Sequence, residues 1–283
     1  MFNPAAVVTA AFGDHLAETY LQAFPEQKPH FADFLNDVAR ESLGRIGASD
    51  APYHNAEHTM LVTLTGQQII LGKQKTSAVL PEDWLHYIVA LLLHDIGFTR
   101  GLCEGDTPQE VVINDAGEQI CPPRGATDAS LAPYHVDRGK IYARHRFADH
   151  DFVDAERIAQ AVEYTRFPVP DDPAYQCFDS EPALVRAADL IGQIADPRYF
   201  SKVSALYQEF LETGFAHELG FNSPMDLVEH FPSFFHEQVE PLIGPALEHL
   251  QQTKDGRGLI EQLHSHVSQA SGGENTPGPF SGP

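Results

Sequence analysis

The sequence is poor in the features that would place it in several common functional classes. Its three cysteines, Cys103, Cys121 and Cys177, are too few and too far apart for a disulfide framework or a thiolate zinc site. The longest unbroken apolar run is Tyr87–Leu93, far short of a membrane span. No basic segment opens the chain, so we expect no signal peptide and a soluble, cytoplasmic protein.

Basic residues are also scarce. The 283 residues include 18 Lys and Arg against 40 Asp and Glu, which gives a net charge of −22 with neutral histidines. A surface this acidic repels phosphate backbones and anionic lipid, so we expect neither a nucleic-acid polymer nor a membrane as partner. Apolar residues make up 42%, enough for a sizeable core, and there are 15 histidines.

Apolar periodicity and flanking Pro and Gly predict an all-α fold. The fourth predicted helix is apolar nearly all round, which is typical of a helix at the centre of a core. The predicted helices cover about Ala5–Phe24, Phe31–Ile46, Ala56–Leu71, Pro81 to the residues before Gly97, Asp137–Phe147, Val153–Tyr164, Pro182–Ile194, Ser201–Thr213, Met225–Phe231 and Phe235–Thr253.

We predict four parts along the chain. Residues 1–50 form helices that pack on a core at 51–200, a helical extension follows at 201–270, and 271–283 is a disordered tail rich in Gly, Pro and Ser. The core contains a long insertion at about 102–133 with little helical periodicity, which is either mobile or a functional lid. A short hairpin through Val111–Ile113 is predicted inside it.

Three separate stretches carry residues suited to metal binding. His54 and His58 open the third helix, four positions apart and therefore on one helix face. The alternative is a structural or solvent-exposed histidine pair. His94-Asp95 follows the most buried helix, where both side chains need a partner. A charged histidine at the helix end with Asp95 capping the next turn would also explain this pair.

Asp189 lies in a mostly apolar helix, where an unpaired carboxylate is unfavourable. It is either a further metal ligand or the partner of Arg186 or Arg198. A basic stretch lies before it and is predicted to clamp a phosphate, since guanidinium groups suit phosphate oxygens. Its members are Arg138, Lys140, Arg144 and Arg146. The alternative is ordinary ion pairing with nearby acidic residues, which are Asp137, Asp149, Asp151 and Asp154.

Together these motifs resemble the HD superfamily of metal-dependent phosphohydrolases. The order His…His-Asp…Asp is the pattern of that superfamily, and Tyr53-His54-Asn55-x-x-His58 is most similar to its cyclic-nucleotide phosphodiesterase branch. The resemblance covers about residues 53–196. The sequence departs from that branch in two respects. The branch has a further histidine shortly after the His-Asp pair, but Ile96–Arg100 contains none. We also assign no glutamine and aromatic residue that would clamp a purine.

The resemblance implies an HD-domain helical bundle with extra C-terminal helices. It implies that His58, His94, Asp95 and Asp189 bind a divalent metal (Mn, Fe, Zn or Mg) and that His54 protonates the leaving oxygen. The substrate that the resemblance implies is a small phosphoester, such as a nucleotide or a cyclic nucleotide. A water molecule activated by the metal would cleave it. Dinuclear relatives use further ligands, for which the candidates are His135, His145, His150 and Glu163.

Two alternative functions stay open at this point. One is a dinuclear-iron oxygenase on the same type of scaffold, and the other is a sensor that binds a ligand without turning it over. The aromatic run Phe231–Phe235 is interpreted as core or as a contact in a homodimer.

Overall fold

The computed structural model describes residues 2–272, and these are predominantly helical, which confirms the all-α prediction. A minor antiparallel sheet consists of β1 (Val111–Val112) and β2 (Gln119–Ile120). The helices are α1 (Pro4–Ala23), α2 (His30–Ile46), α3 (Ala56–Gln74), α4 (Pro81–Leu93), α5 (His135–Phe147), α6 (Ala155–Glu163), α7 (Glu181–Ile194), α8 (Tyr199–Thr213), α9 (Phe215–Glu218), α10 (Pro224–Phe234), α11 (Glu240–Leu250) and α12 (Lys254–Ser271).

Local signals explain where the helices nearest the site begin. The Asn55 side chain accepts hydrogen bonds from the amides of Glu57 and His58, which starts α3. Pro81 occupies the first turn of α4, where its missing amide costs nothing. Ser180 caps α7 in the same way as Asn55 caps α3. Every residue of α4 except Glu82 and Asp83 is buried, as its sequence predicts.

One buried apolar cluster holds the fold together. It runs from Phe12 in α1 to Ala270 in α12 and includes residues of all three predicted ordered segments. Helices α3 and α7 pack closely at Gly192, where a Cβ would lie 2.9 Å from the Cα of Val62. This close approach brings the start of α3 near the middle of α7. The boundaries near residues 50 and 200 stay a prediction.

The insertion contains the predicted hairpin, in which Val111 pairs with Ile120. Arg138, in the first turn of α5, connects the insertion to the core. Its guanidinium donates hydrogen bonds to the carbonyls of Gly97 (2.8 Å) and Thr99 (2.7 Å), to the Val112 carbonyl, and to Asp106 (2.9 Å). A buried ion pair therefore holds the first half of the insertion against the core.

The C-terminal part differs most from the prediction. The predicted continuous helix over Phe235–Thr253 is a π-helical turn at Phe235–Val239 followed by α11, which ends at Leu250. Thr253 then caps a helix that was not predicted, α12, by accepting the Gly256 amide at 2.9 Å. Two glycines in its first turns, Gly256 and Gly258, weaken the helical signal there.

Ser271, the first residue of the predicted tail, is the last residue of α12. Residues 273–283 lie outside the described residues. Among the helices of the described part, none is both long enough and apolar enough to cross a bilayer.

Candidate metal centre

The first of the predicted ligand stretches lies around the start of α3. His58 is buried in the first turn of the helix, but His54 precedes the Asn55 cap and is not helical. The expectation that both share one helix face was therefore wrong. They nevertheless converge, with ring centroids 5.4 Å apart, because the extended backbone at Asn55 turns His54 back over the helix end.

The second stretch is the end of α4. His94 caps the helix and is fully buried, and Asp95 follows it, also buried. The Nδ1–H of His94 donates to the Leu91 carbonyl at 2.7 Å, which leaves Nε2 available to bind a metal ion. The Asp95 side chain makes no capping hydrogen bond to the following turn, so the capping role that the sequence offered for Asp95 does not apply.

Gly97 of this motif has a packing role. A Cβ on Gly97 would lie 1.8 Å from the His135 carbonyl oxygen. Only glycine permits the start of α5 to approach the end of α4 this closely. The contact brings His135 beside Asp95, with His135 Nε2 3.8 Å from Asp95 Oδ1.

The third stretch is the middle of α7. Asp189 Oδ1 lies 3.4 Å from His58 Nε2 and 3.7 Å from His94 Nε2. Within the described part of the chain, Asp189 forms no ion pair with Arg186 or Arg198, and Arg198 pairs with Glu57 instead. The carboxylate therefore faces the two imidazoles, as a metal ligand would.

The donor atoms of these stretches fit a metal ion. The ligand atoms of His58, His94 and Asp189 all lie within 4.8 Å of one another, and so do those of His54, His58 and Asp95. His58 Nε2, His94 Nε2 and Asp95 Oδ2 are buried and form no hydrogen bond with any described residue, and the two nitrogens lie 3.3 Å and 3.1 Å from Asp95 Oδ2. Orphaned buried donors and acceptors are costly unless a further group satisfies them. The mixed imidazole and carboxylate set could hold a divalent metal ion.

The electrostatics of the site favour positive charge at this point. Burial alone would lower the pKa of His94, but the Asp95 carboxylate outweighs it and raises the pKa to about 9. The pKa of His58 is raised against burial by Asp189 and Asp95. Burial would raise the pKa of Asp95, yet His94 and its neighbours hold it well below its usual range. Protons on the imidazoles or a cation between them would both supply this charge.

His54 is held by a partner that sequence reasoning missed. Glu209, from α8, is buried and accepts hydrogen bonds from the backbone amides of Tyr53 (2.6 Å) and His54 (3.1 Å). Its second oxygen lies 2.5 Å from His54 Nδ1. Burial lowers the pKa of His54, but the negative charge of Glu209 gives a net increase. Phe98 stacks against the rings of both His54 and His135, with centroids 4.5 Å from each.

Of the four predicted additional ligands, only His135 reaches this site. Its Nδ1–H donates to the Ala132 carbonyl at 2.6 Å, so Nε2 faces Asp95. Burial lowers the pKa of His135 more than Asp95 raises it. The other candidates are engaged elsewhere. His145 is exposed near Glu104, His150 lies among Phe34, Phe147 and Phe152, and Glu163 pairs with Lys140 and Arg166.

A comparison with models of known families gives a match over almost the whole chain. The model of the family described as Npun_R2479-like matches residues 2–272. The chain belongs to the Npun_R2479-like family. A search of curated proteins finds no match. In this member of the Npun_R2479-like family, the matched range contains every residue of the candidate metal centre.

The predicted phosphate clamp is not assembled at the site. Arg138 is fully buried on Asp106, so it cannot contact a substrate. Lys140 pairs with Asp137 and Glu163, and Arg144 pairs with Asp115 and Glu156. Arg146 pairs with Glu41. The ion-pair alternative was therefore the better interpretation, although only Asp137 among the acidic partners proposed for it takes part.

A cavity of about 710 Å³ opens beside the metal centre. Asp95, Asp189, His54, His135 and Glu209 lie on its wall, together with many apolar residues of α8 to α10. A cavity of this size accommodates a small-molecule ligand. The centre is therefore accessible from a pocket, as a catalytic metal site requires.

Arg166 and Arg186 are the arginines on the cavity wall. Arg166 is committed to Glu163 and Asp137. Arg186 is buried one helical turn before Asp189, and its guanidinium lies over the rings of Tyr164 and Phe178. Its Nε and Nη1 donate no hydrogen bond to any residue of the described chain, and burial lowers its pKa. The sequence singled out Arg186 only as a partner for Asp189.

Proposed function

We propose that the protein is a metal-dependent phosphohydrolase that cleaves a small phosphoester. The observation that carries the proposal is the convergence of His58, His94, Asp95 and Asp189, with orphaned buried ligand atoms, at the wall of a ligand-sized cavity. The resemblance of the motifs to the HD superfamily supports the same function. A divalent cation bound there would polarise phosphoryl oxygens and lower the pKa of a water molecule.

His54 is suited to protonate the leaving oxygen. Glu209 binds Nδ1 and both flanking amides, which fixes the ring and leaves Nε2 for the substrate. Phe98 stacks on the ring at an interplanar angle of 9° and limits its rotation. General acid catalysis by such a group contributes about 10²- to 10⁴-fold to the rate. Glu209 is accordingly a positioning residue for His54.

Arg186 replaces the predicted clamp as the group that binds the anionic part of the substrate. It shares α7 with Asp189 and lines the same cavity, and two of its nitrogens have donor capacity to spare within the described residues. We expect Arg186→Met to raise KM more than it lowers kcat. Arg144→Met removes a residue of the predicted clamp outside the cavity and is expected to leave both constants unchanged.

The proposal is tested by purifying the protein with each of Mn²⁺, Fe²⁺, Zn²⁺ and Mg²⁺ and screening a panel of phosphoesters. We expect metal-dependent turnover that falls at least about 100-fold in His94→Ala and Asp95→Asn. His145→Ala, an exposed histidine away from the centre, is the matched control and should retain full activity. Folded variants at His94 and Asp95 with undiminished turnover would overturn the proposal.

The two alternatives from the sequence are outcomes of the same screen. A dinuclear-iron oxygenase would bind two irons per chain and show no phosphoester hydrolysis. A sensor would bind a phosphoester without turnover with any of the metals. The metal content of the protein, measured by elemental analysis on the same samples, separates these two.

A further inference from the structure

The cavity has two chemically different ends. The end at the metal centre carries the titratable residues His54, Asp95, His135, Asp189 and Glu209. The rest of the wall that α8, α9 and α10 and the turns between them provide is dominated by large apolar side chains. These are Leu206, Phe210, Phe215, Leu219, Phe221, Leu227, Phe231 and Phe234.

We infer that the substrate is a phosphoester of an apolar alcohol, whose hydrocarbon part occupies the wall formed by α8 to α10. This inference rests on the proposed function, since it places the phosphoester at the metal centre. The wall matches such a group because apolar surface removed from water stabilises the complex without hydrogen bonds. The inference names the substrate class that the motifs alone leave open.

Apart from the Tyr199 hydroxyl, the polar groups that α8 to α10 and the following turn contribute to the cavity do not suit a nucleoside. Glu218, His230, Glu237 and Gln238 are exposed and lie where the cavity meets solvent. The Thr213 hydroxyl already donates to the Glu209 carbonyl at 3.0 Å. A ribose and base buried against the apolar wall would leave several donors and acceptors without partners. Two carboxylates at the mouth also disfavour ligands that carry several phosphates.

The edge of the cavity is apolar as well. Phe167 is 42% exposed and Leu219 is 44% exposed, and both belong to the cavity wall. Phe167 lies edge-on to Phe234, with ring centroids 5.6 Å apart. A chain longer than the cavity therefore continues to contact apolar surface at the mouth. We expect affinity to keep rising with chain length beyond the first few carbons.

The test measures binding and turnover of ethyl, hexyl and decyl phosphate by the metal-loaded protein, with adenosine monophosphate as the nucleotide comparison. Calorimetry gives the affinity, and phosphate release gives kcat/KM. We expect affinity to rise by up to about fourfold per methylene, the ratio that corresponds to full burial of each group. Decyl phosphate should bind more tightly than the nucleotide.

A pair of neighbouring variants locates the effect. Phe210→Gln alters the cavity wall and should reduce the preference for decyl over ethyl phosphate. Leu211→Gln is the control, because Leu211 is adjacent in α8 but 47% exposed and outside the wall. We expect its chain-length preference to equal that of the unmodified protein.

The outcomes separate this inference from the proposed function. Chain-length-dependent binding without turnover would keep the cavity assignment and overturn phosphoester hydrolysis. Turnover that does not change from ethyl to decyl phosphate, or that favours the nucleotide, would keep hydrolysis and overturn the inference. Absence of both binding and turnover would overturn both. If Phe210→Gln does not fold, the dependence of affinity on chain length in the unmodified protein still tests the inference.

Discussion

Replacing Arg138 by methionine is expected to destabilise the protein strongly without changing substrate affinity. The sequence suggested that Arg138 clamps a phosphate, whereas the structure buries its guanidinium between the insertion and the core. Methionine fills much of the same volume but donates no hydrogen bond. The substitution therefore separates a structural role from a substrate-binding role.

The expected loss follows from the contacts of Arg138. Removal leaves the Asp106 carboxylate, 1% exposed, without its cationic partner and leaves the carbonyls of Gly97, Thr99 and Val112 without this donor. Breaking a buried ion pair from one side costs about 3–5 kcal/mol. Asp106 retains backbone amide donors, including that of Val112 at 2.8 Å, so we expect the lower half of this range.

Urea unfolding followed by circular dichroism measures this change. Arg144→Met is the matched control, because its ion pairs are exposed and should contribute less than about 1 kcal/mol. A double-mutant cycle with Asp106→Asn isolates the pair itself. Limited proteolysis should show earlier cleavage within the insertion of Arg138→Met than of the control.

The pH dependence provides a second measurement. Burial would raise the pKa of Asp106, but its hydrogen bonds with Arg138 and the Val112 amide lower it below the ordinary value of 3.8. Such a carboxylate stabilises the fold at pH above 3.8, and the stabilisation is lost as pH falls through the lower pKa of the folded protein. The stability difference between the unmodified protein and Arg138→Met should therefore narrow in acid. A loss below about 1 kcal/mol together with a raised KM would refute the structural role.

Three further outcomes are expected. Gly97→Ala should weaken metal binding in a metal titration, because the added Cβ would lie 1.8 Å from the His135 carbonyl oxygen, and an unchanged affinity would contradict the packing argument. In a thiol titration with a chromogenic disulfide, the exposed Cys121 and Cys177 should react quickly, while Cys103, whose pKa burial raises to about 11, should react only after unfolding. Three fast thiols would be inconsistent with this. Removing the metal with a chelator should lower Tm, and adding it back should restore Tm, because a ligand that binds the folded state stabilises it. An unchanged Tm after a verified loss of metal would argue against a buried metal site.

Much of the fold could be predicted because its signals are local. Apolar spacing places α1 to α8 within a few residues of their observed ends, and Pro81 and the apolar run after it predict a central helix. The prediction failed where local signals are weak or interrupted. Gly256 and Gly258 obscured the start of α12, and the π-helical turn at Phe235–Val239 interrupts what the sequence presents as one helix.

Of the candidate site, only the candidate metal-binding residues could be predicted from the sequence. His58, His94, Asp95 and Asp189 are polar residues in apolar surroundings, and this local contrast marks them in the sequence. Glu209 carries no such mark, because it contacts His54 across 155 positions of the chain. The only basis for finding it would have been its burial in α8, which depends on tertiary packing.

The basic stretch shows the opposite error. Closeness in sequence suggested one function for Arg138, Lys140 and Arg144, but each meets a different acidic partner. Arg138 faces the insertion, whereas Lys140 and Arg144 lie one helical turn apart and pair with Glu163 and Glu156. Residue spacing on a helix predicts which side chains share a face. It does not predict what lies opposite that face.

The position of Glu209 has a consequence for how this protein can change over evolution. The candidate ligands lie in α3, just after α4 and in α7, whereas the carboxylate that binds His54 and the apolar part of the cavity wall both come from later helices. Mutations in α8 to α10 can thus change the apolar surface of the cavity while the candidate ligands stay unchanged. The same helices cannot be exchanged freely, because losing Glu209 would remove the hydrogen bonds that hold His54 in position.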